Sequence, residues 1–228
     1  GDPVPTTRPA NGVEGVTENF DWGPLDVADA EMNDAKVTAW AIDYLKRERD
    51  KPFFLAAGIF RPHLPWYVPR KYFDRYPLDE IILPQVKDDD LDDVPPIGRE
   101  MANPKHDHEK VVASGKWKEG VQGYLASITF ADSCIGRLLD ALDSSGKADN
   151  TVIVLWGDHG WHLGEKLHWR KFTLWEEATR VPFIIVAPGV AKPGSRCERT
   201  VSLIDIYPTL ADLCGSKPPS AVQGRSLV

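Results

Sequence analysis

The sequence has no apolar run near the roughly 18 residues that a membrane-spanning helix requires. No membrane span is therefore expected. It also lacks an excess of cations: 27 Lys and Arg stand against 34 Asp and Glu, a net charge of −7. With no basic stripe, a nucleic-acid backbone is a poor partner. Cysteine is scarce, with Cys134, Cys197 and Cys214 alone. Their spacings fit no zinc ribbon and no C-x-x-C redox pair. Cys134 falls in a predicted helix and reads as a buried apolar residue. A Cys197–Cys214 disulfide is left open, because sequence cannot fix the geometry it needs. There is no internal repeat, no low-complexity tract and no signal-peptide pattern. The chain starts Gly1-Asp2-Pro3 and stops at Gly224-Arg225-Ser226-Leu227-Val228. Both ends read as cut from a longer protein.

What is present is an ordinary globular mixture, 42% hydrophobic and 27% charged over 228 residues. That length can bury one sizeable core, or a core and a small lobe. Residues 1–28 are rich in Pro, Gly, Thr and Asp and read as a loop wrapped over a larger body. From Asp29 a helix is expected, with Val37, Trp40, Ala41, Tyr44 and Leu45 on one apolar face. Its last residues, Lys46-Arg47-Glu48-Arg49, suit a helix C-terminus, and Pro52 blocks continuation. Phe53-Phe54-Leu55-Ala56-Ala57 reads as a strand buried on both faces. The prolines of Arg61-Pro62-His63-Leu64-Pro65-Trp66-Tyr67-Val68-Pro69 make a stiff extended loop. Residues 84–110, with Asp88-Asp89-Asp90 and Asp92-Asp93, read as an acidic surface excursion whose charges are solvated rather than bound to a cation.

A long helix is predicted over about Trp117 to Leu142, where the 3.6-residue period never breaks, with Ser144-Ser145-Gly146 as its stop. Thr151–Trp156 and Val181–Val186 read as two more buried strands, and a last helix runs from about Ile204 to Cys214. Helices alternating with all-apolar strands indicate an α/β layered fold with a mostly parallel sheet flanked by helices.

The second strand leads into Gly157-Asp158-His159-Gly160-Trp161-His162-Leu163-Gly164-Glu165. In open α/β sheets, ligands sit beyond the carboxyl ends of strands. Asp158 and His159 stand at that place. The flanking glycines permit a sharp turn and close approach. A carboxylate there can hold a hard cation. Downstream come Lys166, His168, Arg170 and Lys171. Cations just past an acidic candidate suggest an anion held against a metal. Lys171 is close enough in sequence to fold back. Lys166 and Arg170 read as solvated surface charge.

These residues, with Trp169-Arg170-Lys171 and Glu176-Glu177-Ala178-Thr179-Arg180-Val181-Pro182-Phe183-Ile184, closely resemble the type I sulfatases. Within them the chain is most similar to the iduronate-2-sulfatase group. Lys51–Ala56 leading to Arg61-Pro62-His63-Leu64-Pro65, and Ser202–Leu210, resemble two further segments of that group in the right order. The resemblance covers most of 30–228. It implies a partial alkaline-phosphatase-like fold, with 1–228 as part of one catalytic domain. It implies that Asp158 is a calcium ligand, and that His159 is a second ligand or lies beside the sulfate. By the same resemblance His63 contacts the sulfate and handles the leaving-group proton, Lys171 pairs with sulfate oxygens, and Trp161 and His168 line the substrate pocket. The chemistry agrees. Sulfate-ester cleavage builds charge on sulfonyl oxygens and on the leaving oxygen, which suits a cation and a lysine for the first and a histidine for the second.

The family's nucleophile is a formylglycine made from Cys or Ser in a C/S-x-P-x-R motif. Cys134, Cys197, Cys214 and Ser216 all fail that pattern, and no other position passes. The formylglycine is expected in an upstream part, together with the family's early Asp-Asp metal pair. The residues shown are therefore expected to be inactive alone, to bind metal weakly and to expose an apolar edge. The resemblance implies a sulfated sugar or glycosaminoglycan as the partner. The resemblance implies a periplasmic, extracellular or lysosome-like location. Two other readings stay open. One is a phosphoesterase or phosphonate hydrolase, for which His159, His162, His168 and Asp158 offer zinc ligands. The other is a binder that holds a sulfated glycan without cleaving it.

Overall fold

The computed structural model describes residues 1–102 and 106–228. In chain order its elements are β1 (Trp22–Leu25), α1 (Asn33–Lys46), β2 (Trp66–Pro69), α2 (Arg70–Phe73), α3 (Pro96–Ala102), α4 (Asp107–Ala113), α5 (Trp117–Ser144), β3 (Ile153–Trp156), β4 (His162–Leu163), β5 (Trp169–Arg170), α6 (Glu176–Thr179), β6 (Phe183–Val186) and α7 (Ile206–Leu213). Short 3-10 turns precede α1 and α7, at Asp29–Glu31 and Leu203–Asp205.

The unbroken apolar period from Trp117 becomes α5, which the rest of the chain packs around. Two cores form on it. One joins Leu25, Met32, Tyr67, Tyr72 and Phe73 to Ala126, Phe130 and Cys134 of α5. The other is a tryptophan cluster in which Trp22, Trp66 and Trp169 meet Val13, Phe20, Leu64 and Val111. Gly123 lets the helix lie against this cluster, since a Cβ there would sit 2.9 Å from Cβ of Trp22.

The sequence reading of 1–28 as a loop needs correction. The segment contributes β1 and buries Val13, Phe20 and Trp22 completely or nearly so. Its polar anchor is Asp21, whose carboxylate accepts the N–H groups of Ala10, Asn11 and Trp22 and the Tyr67 hydroxyl. Burial and this carboxylate push the Tyr67 phenol well above its ordinary range. On α1, Ala41 and Leu45 are buried as expected, but Val37 and Trp40 are exposed and Asp34 and Thr38 take the inner face instead.

The α/β class holds. Parallel pairing holds only for β1 with β2; β3 pairs antiparallel with β6, and β4 with β5. Phe53–Ala57 is not a strand among the described residues. It is extended but has no ladder partner, and its side chains alternate, with Phe54 80% exposed and Phe53 and Leu55 half-buried. Strands β3 and β6 likewise keep an open apolar face at Trp156, Ile184 and Val186. A continuous apolar run implies cover on both sides, and the described residues cover one. All three cysteines are free, Cys134 buried and Cys197 and Cys214 exposed, so the disulfide is absent. Of the acidic excursion, positions 103–105 lie outside the described residues; the rest forms α3, the start of α4 and loops.

Candidate active site

The loop carrying His63 follows the extended segment and is tied down from both sides. Asp34, in the first turn of α1, accepts the N–H groups of Phe60 and Arg61 at 2.8 and 2.9 Å. The Arg61 side chain, only 2% exposed, donates to Asp2 at 2.9 Å and to the Tyr67 carbonyl at 3.1 Å. Burial lowers the Arg61 pKa, and Asp2 and Asp34 oppose that fall. Trp66 Nε1 donates to the Pro62 carbonyl at 2.7 Å. The His63 ring sits 4.7 Å from the Phe60 ring. Its Nδ1 is 2.7 Å from the Leu64 carbonyl. A carbonyl only accepts, so Nδ1 carries a proton and Nε2 is the atom left for a ligand.

At the end of β3 the chain turns through Gly157, whose N–H donates to the Pro182 carbonyl beside β6. Asp158 is 85% exposed on its side chain and His159 26%. Gly160 is where this loop passes closest to the backbone near α6, because a Cβ there would lie 2.0 Å from the Glu177 carbonyl oxygen. His159 repeats the His63 arrangement: Nδ1 donates to the Gly160 carbonyl at 2.8 Å. Its Nε2 lone pair then accepts from the Lys171 ammonium, also at 2.8 Å. Asp158 Oδ2 lies 3.6 Å from the same Nε2.

Trp161 joins the two loops. Its ring centroid is 6.1 Å from that of His63 and 6.1 Å from that of His159, and 5.9 Å from Trp66 in the core. Thus His63, the Asp158–His159–Trp161 motif and Lys171, read from three separate stretches of the sequence, form one connected group. It is built by three chain segments more than a hundred residues apart at their ends.

His168 does not join them. It is almost fully buried, with Nδ1 against the Ala102 carbonyl and its ring 4.9 Å from that of His162. Burial holds its pKa down at about 4. His162 is buried too, bonded to Thr173 Oγ1 at 2.9 Å and facing the Glu165 carbonyl at 3.1 Å. Lys166 and Arg170, read as solvated, are paired with the acidic excursion: Lys166 with Asp90 at 2.8 Å and Arg170 with Asp107 at 2.9 Å. Asp90 and Asp107 were hidden from the sequence reading inside a charge run. Their signal was an acidic run facing a basic hairpin. Asp34 gave a weaker one, a carboxylate in a first helical turn.

Calcium takes six to eight oxygen ligands. Among the described residues no three His, Cys, Asp or Glu side chains gather into a metal-binding group. Asp158 has a carboxylate free enough to be one ligand, since among the described residues Oδ1 accepts only the neighbouring His159 N–H, at 3.1 Å. His159 fits poorly, because an ammonium already occupies its Nε2 direction. Of the two residues that the resemblance assigns to calcium, Asp158 fits as a single ligand, and the described residues hold no complete ligand set.

The α/β scaffold, with an acid–imidazole pair past a strand end, has the alkaline-phosphatase-like fold of the solved sulfatases and phosphonate hydrolases it resembles. The chain belongs to the sulfatase family, whose model matches residues 5–216. It is similar to a sulfatase of Formosa agariphila, 41% identical over 98% of this chain and 44% of the relative. It is also similar to human iduronate 2-sulfatase, 31% identical over 86% of this chain and 42% of that protein. The phosphonate monoester hydrolase SpPMH from Silicibacter pomeroyi has the same fold, with a TM-score of 0.79 and 30% identity over 90% of this chain and 42% of that one. The chain thus spans less than half the length of these relatives.

Proposed function

We propose that the His63–Trp161–His159–Lys171 group binds the sulfate of a sulfated sugar and takes part in hydrolysing its ester within the whole protein. The contact between Lys171 Nζ and His159 Nε2 carries this reading. The contact sets a cation and a ring nitrogen lone pair side by side past the end of β3. An arriving sulfate oxygen takes the ammonium as its donor, and His159 Nε2 loses that partner. The ammonium then stabilises charge that grows on the sulfonyl oxygens. His63, when protonated, presents Nε2–H and donates it to the leaving oxygen. Trp161 gives both rings a rigid apolar wall. The sugar class rests on the name of the human relative, iduronate 2-sulfatase. In the same proposal Asp158 gives one oxygen to calcium, and the formylglycine nucleophile and remaining metal ligands come from sequence other than these 228 residues. Action on exported substrates, outside the cell or in a lysosome-like compartment, belongs to this reading as well.

Two measurements test it. Sulfate titrated into the chain, followed by histidine-ring NMR, should shift His63 and His159 together, and Lys171→Ala should abolish the His159 response. Shifts confined to other histidines would defeat the proposal. The chain itself should release no sulfate from an aryl sulfate ester, since no C/S-x-P-x-R nucleophile is present. Metal-dependent turnover by this polypeptide would show that the nucleophile is wrongly assigned. The phosphonate hydrolase neighbour supports a second reading, cleavage of phosphonate or phosphate monoesters at the same group. Phenylphosphonate binding more tightly than sulfate in the same titration would favour it.

A further inference from the structure

The hairpin that delivers Lys171 runs against its own backbone preferences. Lys166, Leu167 and Arg170 have φ of 58°, 52° and 85°. Side chains bearing a Cβ resist this region, so surrounding contacts must hold such residues in place. Arg170 matters most, because it is the residue before Lys171 and its turn sets the direction in which that side chain leaves.

Arg170 is held by its guanidinium. Nε donates to Asp107 Oδ2 at 3.0 Å, and Nη2 lies 2.9 Å from the same oxygen. Nη2 also donates to Thr17 Oγ1 at 2.8 Å. The guanidinium carbon lies 4.8 Å from the centre of the Phe20 ring. The pair is largely dry, with side chains 17% and 8% exposed for Arg170 and Asp107. An ion pair hidden from water is costly to break from one side, because the remaining charge is stranded.

We propose that Arg170, anchored by Asp107 and Thr17, is the positioning residue for Lys171. The anchor fixes the strained turn, and the turn places the ammonium on His159 Nε2. The acidic excursion thereby acts as a brace for the site. The inference deepens the reading of Lys171 as a sulfate ligand and rests on it for its functional meaning. The placement itself is tested without any ligand.

The experiment uses the 228-residue chain labelled with 15N-histidine. The His159 Nε2 resonance reports whether an ammonium is hydrogen-bonded to it. Lys171→Ala gives the resonance position with that donor removed. Asp107→Asn keeps shape and volume but removes the anchoring charge, and Arg170→Ala removes the anchor entirely. The expectation is that Arg170→Ala moves the resonance most of the way to the Lys171→Ala position, with Asp107→Asn in between and Arg170→Lys partly restoring it. The Trp169 Nε1–H signal monitors the nearby core, where it donates to His108 at 3.3 Å. If Arg170→Ala disturbs that signal, Asp107→Asn decides. A wild-type His159 resonance in Asp107→Asn with the Trp169 signal intact overturns the proposal. Failure of sulfate to shift His159 in the wild type, with the anchor dependence intact, would instead refute only the ligand assignment.

Discussion

At Gly160 the space for a side chain is already filled. The atom in the way is a backbone carbonyl of the α6 region, which cannot rotate aside. Gly160→Ala must push the loop outward and carry His159 with it. Overpacking of this kind costs on the order of 1–3 kcal/mol. We expect a lower urea midpoint with an unchanged slope, and loss of the His159 response to sulfate while the His63 response persists. An unaltered His159 response would show that the loop tolerates the shift. Residues of this sort explain what the sequence disclosed. Asp158, His159 and Trp161 are neighbours in the chain, so one glycine-flanked motif announces them together. Asp34 and Asp107 act across 26 and 63 residues. Nothing in the local pattern of either names its partner.

Among the elements, the β4–β5 hairpin holds the densest group of buried titratable rings. His162 and His168 both lie inside it, and His108 of α4 packs edge-on against Trp117 close by. Burial lowers the pKa of all three. The carboxylates of Glu165 and Glu177 partly counter this for His162, and Arg170 reinforces it for His168. The sign follows from proton counting. Between an unfolded value near 6.5 and a folded value of about 4 for His168, the unfolded chain binds more protons, so stability rises with pH. The contribution is complete above about pH 6.5 and is lost as pH falls towards 4, and for His168 it amounts to at most about 3 kcal/mol. Urea denaturation at pH 7.5 and pH 5 should therefore show a clear acid loss in the wild type. His168→Gln should flatten that difference while lowering stability at pH 7.5. An equal acid loss in both proteins would exclude His168 as its source. The family resemblance put this histidine in the substrate pocket. It sits instead in the turn just before β5, where its ring is held inward against the Ala102 carbonyl and His162. Helix α5, by contrast, was legible in its existence and extent, since its apolar period is long and needs no partner to be recognised, although Ile128 and Leu139 of that stripe are exposed. Strand pairings depend on distant segments, and the expected parallel sheet was read from runs whose partners the pattern could not show.

The whole molecule carries more surface than its mass requires. Its accessible area is 14411 Å² for 25.4 kDa. A compact monomer of that mass exposes about 10,300 Å². Part of the excess is apolar and lies on elements the sequence marked as interior, with Phe54, Trp156, Ile184 and Val186 all open to solvent. Strands β3 and β6 each have one edge paired to the other and no second partner among the described residues. Extended apolar segments with free edges template association. The isolated chain is therefore expected to bind a hydrophobic dye and to self-associate as its concentration rises. Phe54→Ser combined with Ile184→Thr should reduce both effects. Because these side chains are already exposed, the substitutions remove little native burial, and the thermal midpoint should move by only a degree or two, equivalent to about ±0.5 kcal/mol. Sedimentation velocity across a concentration series gives the answer. If the double variant associates as strongly as the wild type, the sticky surface lies elsewhere. If it unfolds instead, these residues are buried in solution, and the open face is closed by contacts the described residues do not make.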